Sequence, residues 1–225
     1  MRIGTLGTGN MARAVGGSLA DAGHEVMLGS RDAEKARAIA DELGRGVRGG
    51  TNDEAAEFAE IILHTVREVP SSFLRSTEPL AGTIIIDLNN RDFPRDIAGG
   101  PLFPSLHAQN QADVPKAQVV KCFNTMAMQI FAHDAETLRG FGVAAYVAGG
   151  NADARRVVAD LATQIGFEAI DMGGADTGHP QAADVTEMHG DFIRTLIFGR
   201  QDPMMTSQAR SIPTPASMPY GEPRY

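Results

Sequence analysis

The sequence predicts an α/β protein with a Rossmann-type NAD(P)-binding fold. In this fold a doubly wound, mostly parallel sheet forms a single domain, followed here by an extended C-terminal tail. Three observations predict it. Short apolar runs alternate with stretches of helical periodicity, a glycine-rich turn follows the first run, and the composition is that of a globular chain. With 225 residues, of which 43% are hydrophobic and 21% charged, the chain has enough material for one such domain.

Seven short apolar runs, rich in β-branched residues, are expected to form the strands. They occupy residues 2–6, 25–28, 61–64, 83–88, 118–123, 144–148 and 167–171. Strands separated by helical segments usually lie parallel in one sheet, because each helix carries the chain back across a face. The order of segments therefore favours repeated strand–helix–strand units.

Three stretches between or after these runs have the apolar spacing of amphipathic helices. The first has apolar residues at 36, 39, 40 and 43, with Asp32 placed to cap its start and Gly44 its end. The second covers residues 154–165 and begins behind Asn151, whose side chain can accept first-turn amides. A last apolar stripe is formed by Val185, Met188, Phe192 and Leu196.

Two regions are predicted to be irregular. Residues 201–225 contain five of the twelve prolines and form a Pro-rich C-terminal tail, either a frayed terminus or a strap across a partner subunit. Residues 89–115 contain four more prolines and are predicted to be a long functional loop. The folded domain is accordingly assigned to residues 1–200.

The charge and cysteine content exclude several classes of function. The formal net charge of −8 disfavours nucleic acid as a partner, because phosphate backbones are repelled. A single cysteine and the lack of a signal peptide predict a reducing, cytoplasmic location. No window approaches the roughly 18 apolar residues of a membrane span, so no membrane insertion is expected. Cys122 lies in an apolar run and is expected to be buried and unreactive.

The sequence Gly-Thr-Gly-Asn-Met-Ala follows the first strand and opens a helix, which is the context of a dinucleotide-binding turn. The first glycine permits the tight turn, the second lets a pyrophosphate approach the backbone, and Ala12 allows close packing of helix on strand. The helix N-terminus then offers free amides to the phosphates. The residues assigned to this turn are Gly7, Thr8, Gly9, Asn10 and Met11.

The end of the second strand predicts a preference for NADP over NAD. An acidic residue there would hold the ribose 2′-hydroxyl of NAD, but this chain has Ser30 and Arg31. A hydroxyl and a guanidinium can bind a 2′-phosphate through charge-assisted hydrogen bonds. Lys35 follows one helical turn later and is expected to close the phosphate site, whereas Asp32 is explained as a helix cap.

Further cofactor contacts are expected where the other strands end, because ligands of open parallel sheets bind beyond the carboxyl ends of the strands. Asn124 is a candidate partner of the nicotinamide carboxamide, and Thr65 or Val66 of the ribose and phosphates. His64 is either a rim residue that donates a proton or an ordinary strand-end histidine. No catalytic acid and no metal site are predicted. The candidates are His64, Thr65, Val66, Arg67, Asn89, Asn90, Asn124, Met126 and Gly149.

The segments Gly7-Thr8-Gly9-Asn10 and Gly29-Ser30-Arg31 resemble those of the coenzyme F420-dependent NADP oxidoreductase family. Three more segments are similar to the cytoplasmic oxidoreductase domain of six-transmembrane, STEAP-type metalloreductases: 66–68 (Val-Arg-Glu), 86–90 (Ile-Asp-Leu-Asn-Asn) and 119–125 (Val-Val-Lys-Cys-Phe-Asn-Thr). The resemblance covers roughly residues 1–200. It implies a domain that delivers hydride from NADPH to a flavin, or exchanges it with a deazaflavin.

The sequence thus predicts an NADPH-dependent oxidoreductase that transfers a hydride directly between NADP(H) and a flavin (FAD or FMN) or the deazaflavin F420. Few or no catalytic side chains are required, since the reacting carbons belong to the cofactors. The alternative is a non-catalytic NADPH-binding sensor or regulatory subunit. Dehydrogenases for small hydroxy acids or imines that share this start usually add a helical domain, and only 25 residues follow residue 200, so that chemistry is disfavoured, although dimerisation could rebuild a pocket. A homodimer is expected.

Overall fold

The computed structural model describes residues 1–90, 105–187 and 189. In these residues eight strands form one sheet: β1 (Arg2–Leu6), β2 (Glu25–Ser30), β3 (Arg48–Thr51), β4 (Ile61–His64), β5 (Ile84–Asp87), β6 (Gln118–Lys121), β7 (Ala144–Gly149) and β8 (Glu168–Gly173). The strand order is β3-β2-β1-β4-β5-β6-β7-β8, and all neighbours pair in parallel except β6 and β7. The predicted doubly wound, mostly parallel α/β fold is confirmed.

Helices cover the sheet on both faces. They are α1 (Asn10–Asp21), α2 (Ala33–Leu43), α3 (Asn52–Phe58), α4 (Leu106–Asp113), α5 (Ala135–Phe141) and α6 (Ala152–Gln164), and residues 182–187 are also helical. Alternate residues of β4 enter two separate hydrophobic clusters, with Ile61 and Leu63 in one and Ile62 in the other. Both faces of the strand are therefore buried, which explains its continuous apolar run.

The strand order changes direction at β1, and the crevice of the fold lies between β1 and β4. Leu6 at the end of β1 is in register with Gly29 of β2 on one side and His64 of β4 on the other. The turns that follow these strands consequently lie side by side at the carboxyl edge, where open α/β sheets bind ligands. Because β7 runs antiparallel to β6, the chain leaves Gly149 towards the amino ends of the parallel strands, and Gly149 itself is buried in register with Val120. The geometry therefore does not support the expectation that Gly149 lines the site.

The two helices whose caps were predicted from sequence form as expected. The Asp32 side chain accepts hydrogen bonds from the amides of Glu34 and Lys35, and Gly44 ends α2 with φ of 66°. At the start of α6, Asn151 accepts from the amide of Ala154. These local hydrogen bonds satisfy amides that the helix itself leaves free, so they can be recognised without tertiary information.

Neither β3 nor α3 was predicted from the sequence. Strand β3 contains Gly49 and Gly50 in place of an apolar run, because α2 packs directly on its backbone: a Cβ at Gly49 would lie 2.3 Å from the carbonyl carbon of Ala36. Helix α3 begins with a capping box, in which the Thr51 hydroxyl accepts from the Glu54 amide and the Glu54 carboxylate accepts from the Thr51 amide.

Other boundaries also differ from the predictions. The expected loop at 89–115 contains helix α4, so that prediction is wrong for residues 106–113, while residues 91–104 lie outside the described part of the chain. Val185, predicted to begin a buried stripe, is 53% exposed. Met188, Phe192, Leu196 and the tail at 201–225 lie outside the described residues. In the part of the chain that is described, no helix has the length and apolarity to cross a membrane.

Candidate functional site

The glycine-rich turn is held from two sides. The Gly7 amide donates to the Gly29 carbonyl at 3.0 Å and to Asn52 Oδ1 at 3.2 Å. Its φ of +101° suits glycine, and a Cβ there would lie 2.8 Å from both Thr65 Oγ1 and Val66 Cγ1. The turn therefore passes so close to the segment after β4 that a side chain at this position is excluded.

Gly9 differs from Gly7, because nothing in the protein requires it to be glycine. It precedes α1 with φ of −67° and ψ of 178°, and no atom lies within 4 Å of a Cβ placed there. No side chain caps the helix, and its first turn carries no acidic residue. Asn10 is exposed and Thr8 and Met11 are half-buried, so this turn presents free helix amides and a partial positive charge to the crevice.

The residues predicted to select NADP lie beside this turn. Arg31 and Lys35 are exposed, and within the described chain neither side chain forms an ion pair or hydrogen bond. Ser30 Oγ accepts from the Asp32 amide at 3.2 Å, which leaves its hydroxyl hydrogen available. Asp32 caps α2 through the amides of Glu34 and Lys35, as predicted. The end of β2 thus offers two cations and a hydroxyl.

Beyond β4, the structure separates surface residues from buried ones. Thr65 and Val66 face Gly7, with Thr65 Oγ1 donating to the Leu6 carbonyl at 2.8 Å, and Arg67 is exposed. The His64 ring is wholly buried: Nε2 donates to the Glu68 carbonyl at 3.1 Å and Nδ1 accepts from Asn89 Nδ2 at 3.1 Å. A role for His64 as a proton donor at the rim is not supported, because its side chain holds the loop instead.

The turns after β5 and β6 use their polar side chains within the protein. Asn124 is 5% exposed, and its Nδ2 donates to Asn90 Oδ1 and to the Thr186 carbonyl, at 2.9 and 2.8 Å. Asn89 is also buried, and Met126 packs in the core. The prediction that Asn124 contacts a nicotinamide is therefore not supported by this geometry. Its amide joins two turns and a helix.

A buried cluster of charges lies beneath these turns and was not identified from sequence. Lys121 Nζ donates to Asp87 Oδ2 at 2.8 Å, to the Asn89 carbonyl at 2.5 Å and to Glu187 Oε2 at 3.0 Å. Burial raises the pKa of Asp87, but the Lys121 charge and the hydrogen bonds of the cluster outweigh it, so the net pKa is well below its usual value. Burial likewise lowers the pKa of Lys121, and the two carboxylates raise it above its usual value.

Glu187 lies in the helix at 182–187, and its side chain does not face solvent. Its carboxylate is 2% exposed and accepts hydrogen bonds from the amides of Leu106 and His107, at 3.0 and 3.2 Å. It therefore caps α4 in addition to pairing with Lys121. Asp184 is half-buried and is hydrogen-bonded to Ser105, and Asp191 lies outside the described residues.

Two other titratable groups near the cluster are perturbed by burial. Cys122 is fully buried, and burial raises the pKa of its thiol, which agrees with the predicted unreactive cysteine. His107, in the first turn of α4, is half-buried, and among the described residues no hydrogen-bond partner reaches its buried Nδ1 atom. Burial lowers the pKa of His107 to about 4, against the opposing charge of Asp87.

The His107 shift predicts an acid-dependent loss of stability. An unfolded histidine binds a proton near pH 6.5, whereas folded His107 does so only near a pKa of about 4. Lowering the pH across this interval therefore favours the unfolded chain, by at most about 1.4 kcal/mol per pH unit. We expect the free energy of urea unfolding to fall over this range, and His107→Gln to reduce the slope. An unchanged slope in that variant would contradict the prediction.

Comparison with known proteins agrees with this geometry. Residues 2–91 match the family model described as NADP oxidoreductase, coenzyme F420-dependent. The predicted resemblance to that family is confirmed. The match spans the glycine-rich turn, the Ser30–Arg31 segment and the ends of β4 and β5. It therefore covers the turns after β1, β2, β4 and β5, while the turn after β6 lies beyond it.

Three relatives extend this finding. The F420-dependent NADP reductase of Methanothermobacter marburgensis is 41% identical over 97 residues, covering 39% of this chain and 43% of the relative. Rat metalloreductase STEAP3 (Rattus norvegicus) is 27% identical over 181 residues, covering 76% of this chain and 34% of the relative. A crystal structure from Arthrobacter sp. FB24, named as a candidate F420-dependent NADP reductase, is 28% identical with a TM-score of 0.71, covering 89% of this chain and 95% of that chain.

The alignments cover only part of these curated relatives. This chain spans about a third of the length of the metalloreductase, and its match to the reductase covers less than half of that protein. The Arthrobacter structure, by contrast, matches the chain along nearly its whole length. The family resemblance therefore extends from the N-terminal motifs to the fold as a whole.

Proposed function

We propose that this chain is an NADPH-dependent oxidoreductase that transfers a hydride between NADP(H) and F420 or a flavin held against the nicotinamide. The observation that carries the proposal is the end of β2. There Ser30, Arg31 and Lys35 lie next to the glycine-rich turn, and the neighbouring acidic residue, Asp32, is used as a helix cap. These two cations and the hydroxyl can bind a 2′-phosphate, whereas an uncharged ribose 2′-hydroxyl requires no cation.

The rest of the crevice suits the remainder of the dinucleotide. The amides at the start of α1 are free to bind the pyrophosphate, and Thr65 and Val66 border the turn on its other side. When bound, NADPH supplies the hydride and the acceptor ring receives it. The protein then has to hold the two rings close and exclude water.

The chemistry of the acceptor is supported by the family and by the buried charges. The matching family and one curated relative are named for F420 and NADP. Of the described residues under the crevice, His64, Asp87 and Lys121 are all fully buried and hydrogen-bonded within the protein. This arrangement favours direct transfer between rings over a mechanism that uses these side chains as acids or bases.

The activity can be tested with the purified protein. We expect oxidation of NADPH, followed by its absorbance at about 340 nm, on addition of F420, FMN or FAD in separate reactions. Oxidation with one acceptor would identify the hydride partner. Tight NADPH binding without oxidation by any of the three would contradict the enzyme and favour an NADPH sensor.

The cofactor preference has its own test in Arg31→Ala. Loss of a hydrogen-bonded charge pair with the 2′-phosphate should weaken NADPH binding by roughly 1.5–3 kcal/mol, or about 10- to 150-fold, because such bonds are stronger than neutral ones. NADH lacks that phosphate, so its affinity should not change. Arg139→Ala, which removes an exposed arginine from α5, is the matched control. Equal losses for NADPH and NADH would contradict the assignment of Arg31.

A further inference from the structure

The turns after β5 and β6 are joined by reciprocal hydrogen bonds. Asn90 Nδ2 donates to the Asn124 carbonyl at 2.6 Å, and Asn124 Nδ2 donates to Asn90 Oδ1 at 2.9 Å. The same Asn124 amide group donates to the Thr186 carbonyl in the helix at 182–187. Any displacement of the first turn is therefore transmitted to the second turn and to this helix.

Lys121 fixes the first of these turns from below. Its ammonium has three N–H donors, and all three are used: one on the side chain of Asp87, one on the main-chain carbonyl of Asn89 and one on Glu187. The bond to Asn89 acts directly on the backbone of the turn that carries Asn90. The bond to Glu187 ties the same ammonium to the helix that accepts from Asn124.

Burying an ammonium in this space costs free energy, so the contribution of Lys121 must come from its directed hydrogen bonds. A buried ion pair is seldom more stable than apolar side chains of the same volume. A methionine could occupy the position of the Lys121 stem, but it has no donors for Asp87, Asn89 and Glu187. What the lysine alone supplies is a fixed geometry for three segments that meet at the carboxyl edge.

The turn after β6 is itself held in an unusual conformation. Phe123 has φ of 60°, a conformation that a bulky residue adopts only when its surroundings impose it. Its ring contacts those of Phe131 and Phe167, with centroids 5.9 and 5.8 Å apart. Asn124, the next residue, is thus positioned by the aromatic contacts on one side and by Asn90 on the other.

These two turns belong to the half of the sheet that does not carry the NADP-selecting residues. Doubly wound sheets bind one mononucleotide on each side of the strand-order reversal. The glycine-rich turn and Ser30–Arg31 follow β1 and β2, so the adenosine half lies on that side. The turns after β5 and β6 are left for the nicotinamide half.

We propose that Lys121 is a positioning residue for the nicotinamide half of the site, acting through the turn at Asn89–Asn90 and the Asn90–Asn124 pair. This inference rests on the proposed function. Lys121 does not touch the cofactor. It holds the two turns at the separation that the nicotinamide end requires.

The test compares two ligands in three variants by calorimetric titration. Adenosine 2′,5′-bisphosphate reports on the adenosine half alone, whereas NADPH reports on both halves. We expect Lys121→Met and Asn90→Ala to weaken NADPH binding at least about 10-fold while leaving the bisphosphate within about twofold of the wild type. Lys116→Met is the matched control, because Lys116 is exposed and, among the described residues, its ammonium pairs only with Glu78, so both affinities should stay unchanged.

The outcomes separate this role from a purely structural one. General loosening of the fold would weaken both ligands together, so equal losses in Lys121→Met and Asn90→Ala, or no loss of NADPH affinity, would overturn the inference. If Lys121→Met does not fold, Asn90→Ala alone tests the inference. In that variant Asn124 is still anchored by its hydrogen bond to the Thr186 carbonyl. If the wild type fails to bind the bisphosphate, the proposed function itself is wrong and the positioning role falls with it.

Discussion

Replacing Gly9 with alanine is expected to weaken NADPH binding at least 100-fold, roughly 3 kcal/mol, with little change in the stability of the free protein. The backbone at Gly9 has ordinary extended angles, and a Cβ would meet no atom within 4 Å. A methyl group there is harmless until a pyrophosphate approaches the turn, because it then occupies the space that the phosphate needs. Stability should change by no more than about 1 kcal/mol, the scale of a helix-cap substitution.

Two other glycines make this prediction sharp. Gly7→Ala should lose both binding and stability, the latter by about 1–3 kcal/mol, because its φ is +101° and its Cβ would collide with Thr65 and Val66. Gly140 in α5 has equally open space for a Cβ, so Gly140→Ala should leave the NADPH affinity unchanged. Calorimetric titration and urea unfolding of the three variants measure both quantities. Normal NADPH binding by Gly9→Ala would remove the glycine-rich turn from the proposed site.

Replacing Lys121 with alanine is expected to remove about 3–5 kcal/mol of folding free energy at neutral pH. The substitution leaves Asp87 and Glu187, both almost fully buried, without the cation between them. Two uncompensated carboxylates in a region of low dielectric constant are costly, and the chain avoids that cost by unfolding or by binding protons. The loss is a large fraction of the roughly 5–15 kcal/mol by which folded domains are stable.

The pH dependence of that loss gives a second check. In the wild type, the lowered pKa of Asp87 contributes stability above the pKa of an unfolded aspartate, and this contribution disappears as the pH falls below it. In Lys121→Ala the carboxylates are expected to bind protons more readily, so acid should stabilise the variant relative to the wild type. The difference between the two urea-unfolding curves should therefore shrink from pH 7 towards pH 5. Lys116→Ala, at an exposed ion pair, should match the wild type throughout.

Local interactions explain which parts of the fold were predictable. The helix caps at Asp32 and Asn151 use only amides within three residues of the capping side chain. The buried strand β4 is predicted by its continuous apolar run. Strand β3 was missed because its packing requires glycine rather than an apolar side chain. Helix α3 carried a recognisable Thr51–Glu54 capping box, so a signal for it was present in the sequence.

The candidate site divides in the same way. The glycine-rich turn and Ser30–Arg31 could be assigned from spacing alone, because each group acts from its own position at the end of a strand. The roles of Lys121 and Glu187 could not, because 66 residues separate them and their charges meet only after folding. The one hint was that Lys121 interrupts an apolar strand, where a charge requires a partner.

The sequence by itself determined the sheet class and placed a glycine-rich turn, Ser30 and Arg31 at the ends of the first two strands. Their determinants are local: periodicity, caps and the residue at a strand end. Only the tertiary structure decided that β7 reverses direction, that His64 and Asn124 are turned inward, and that one lysine joins Asp87 to Glu187. These features depend on which distant segments come together, and on the free energy of burying charges in that arrangement.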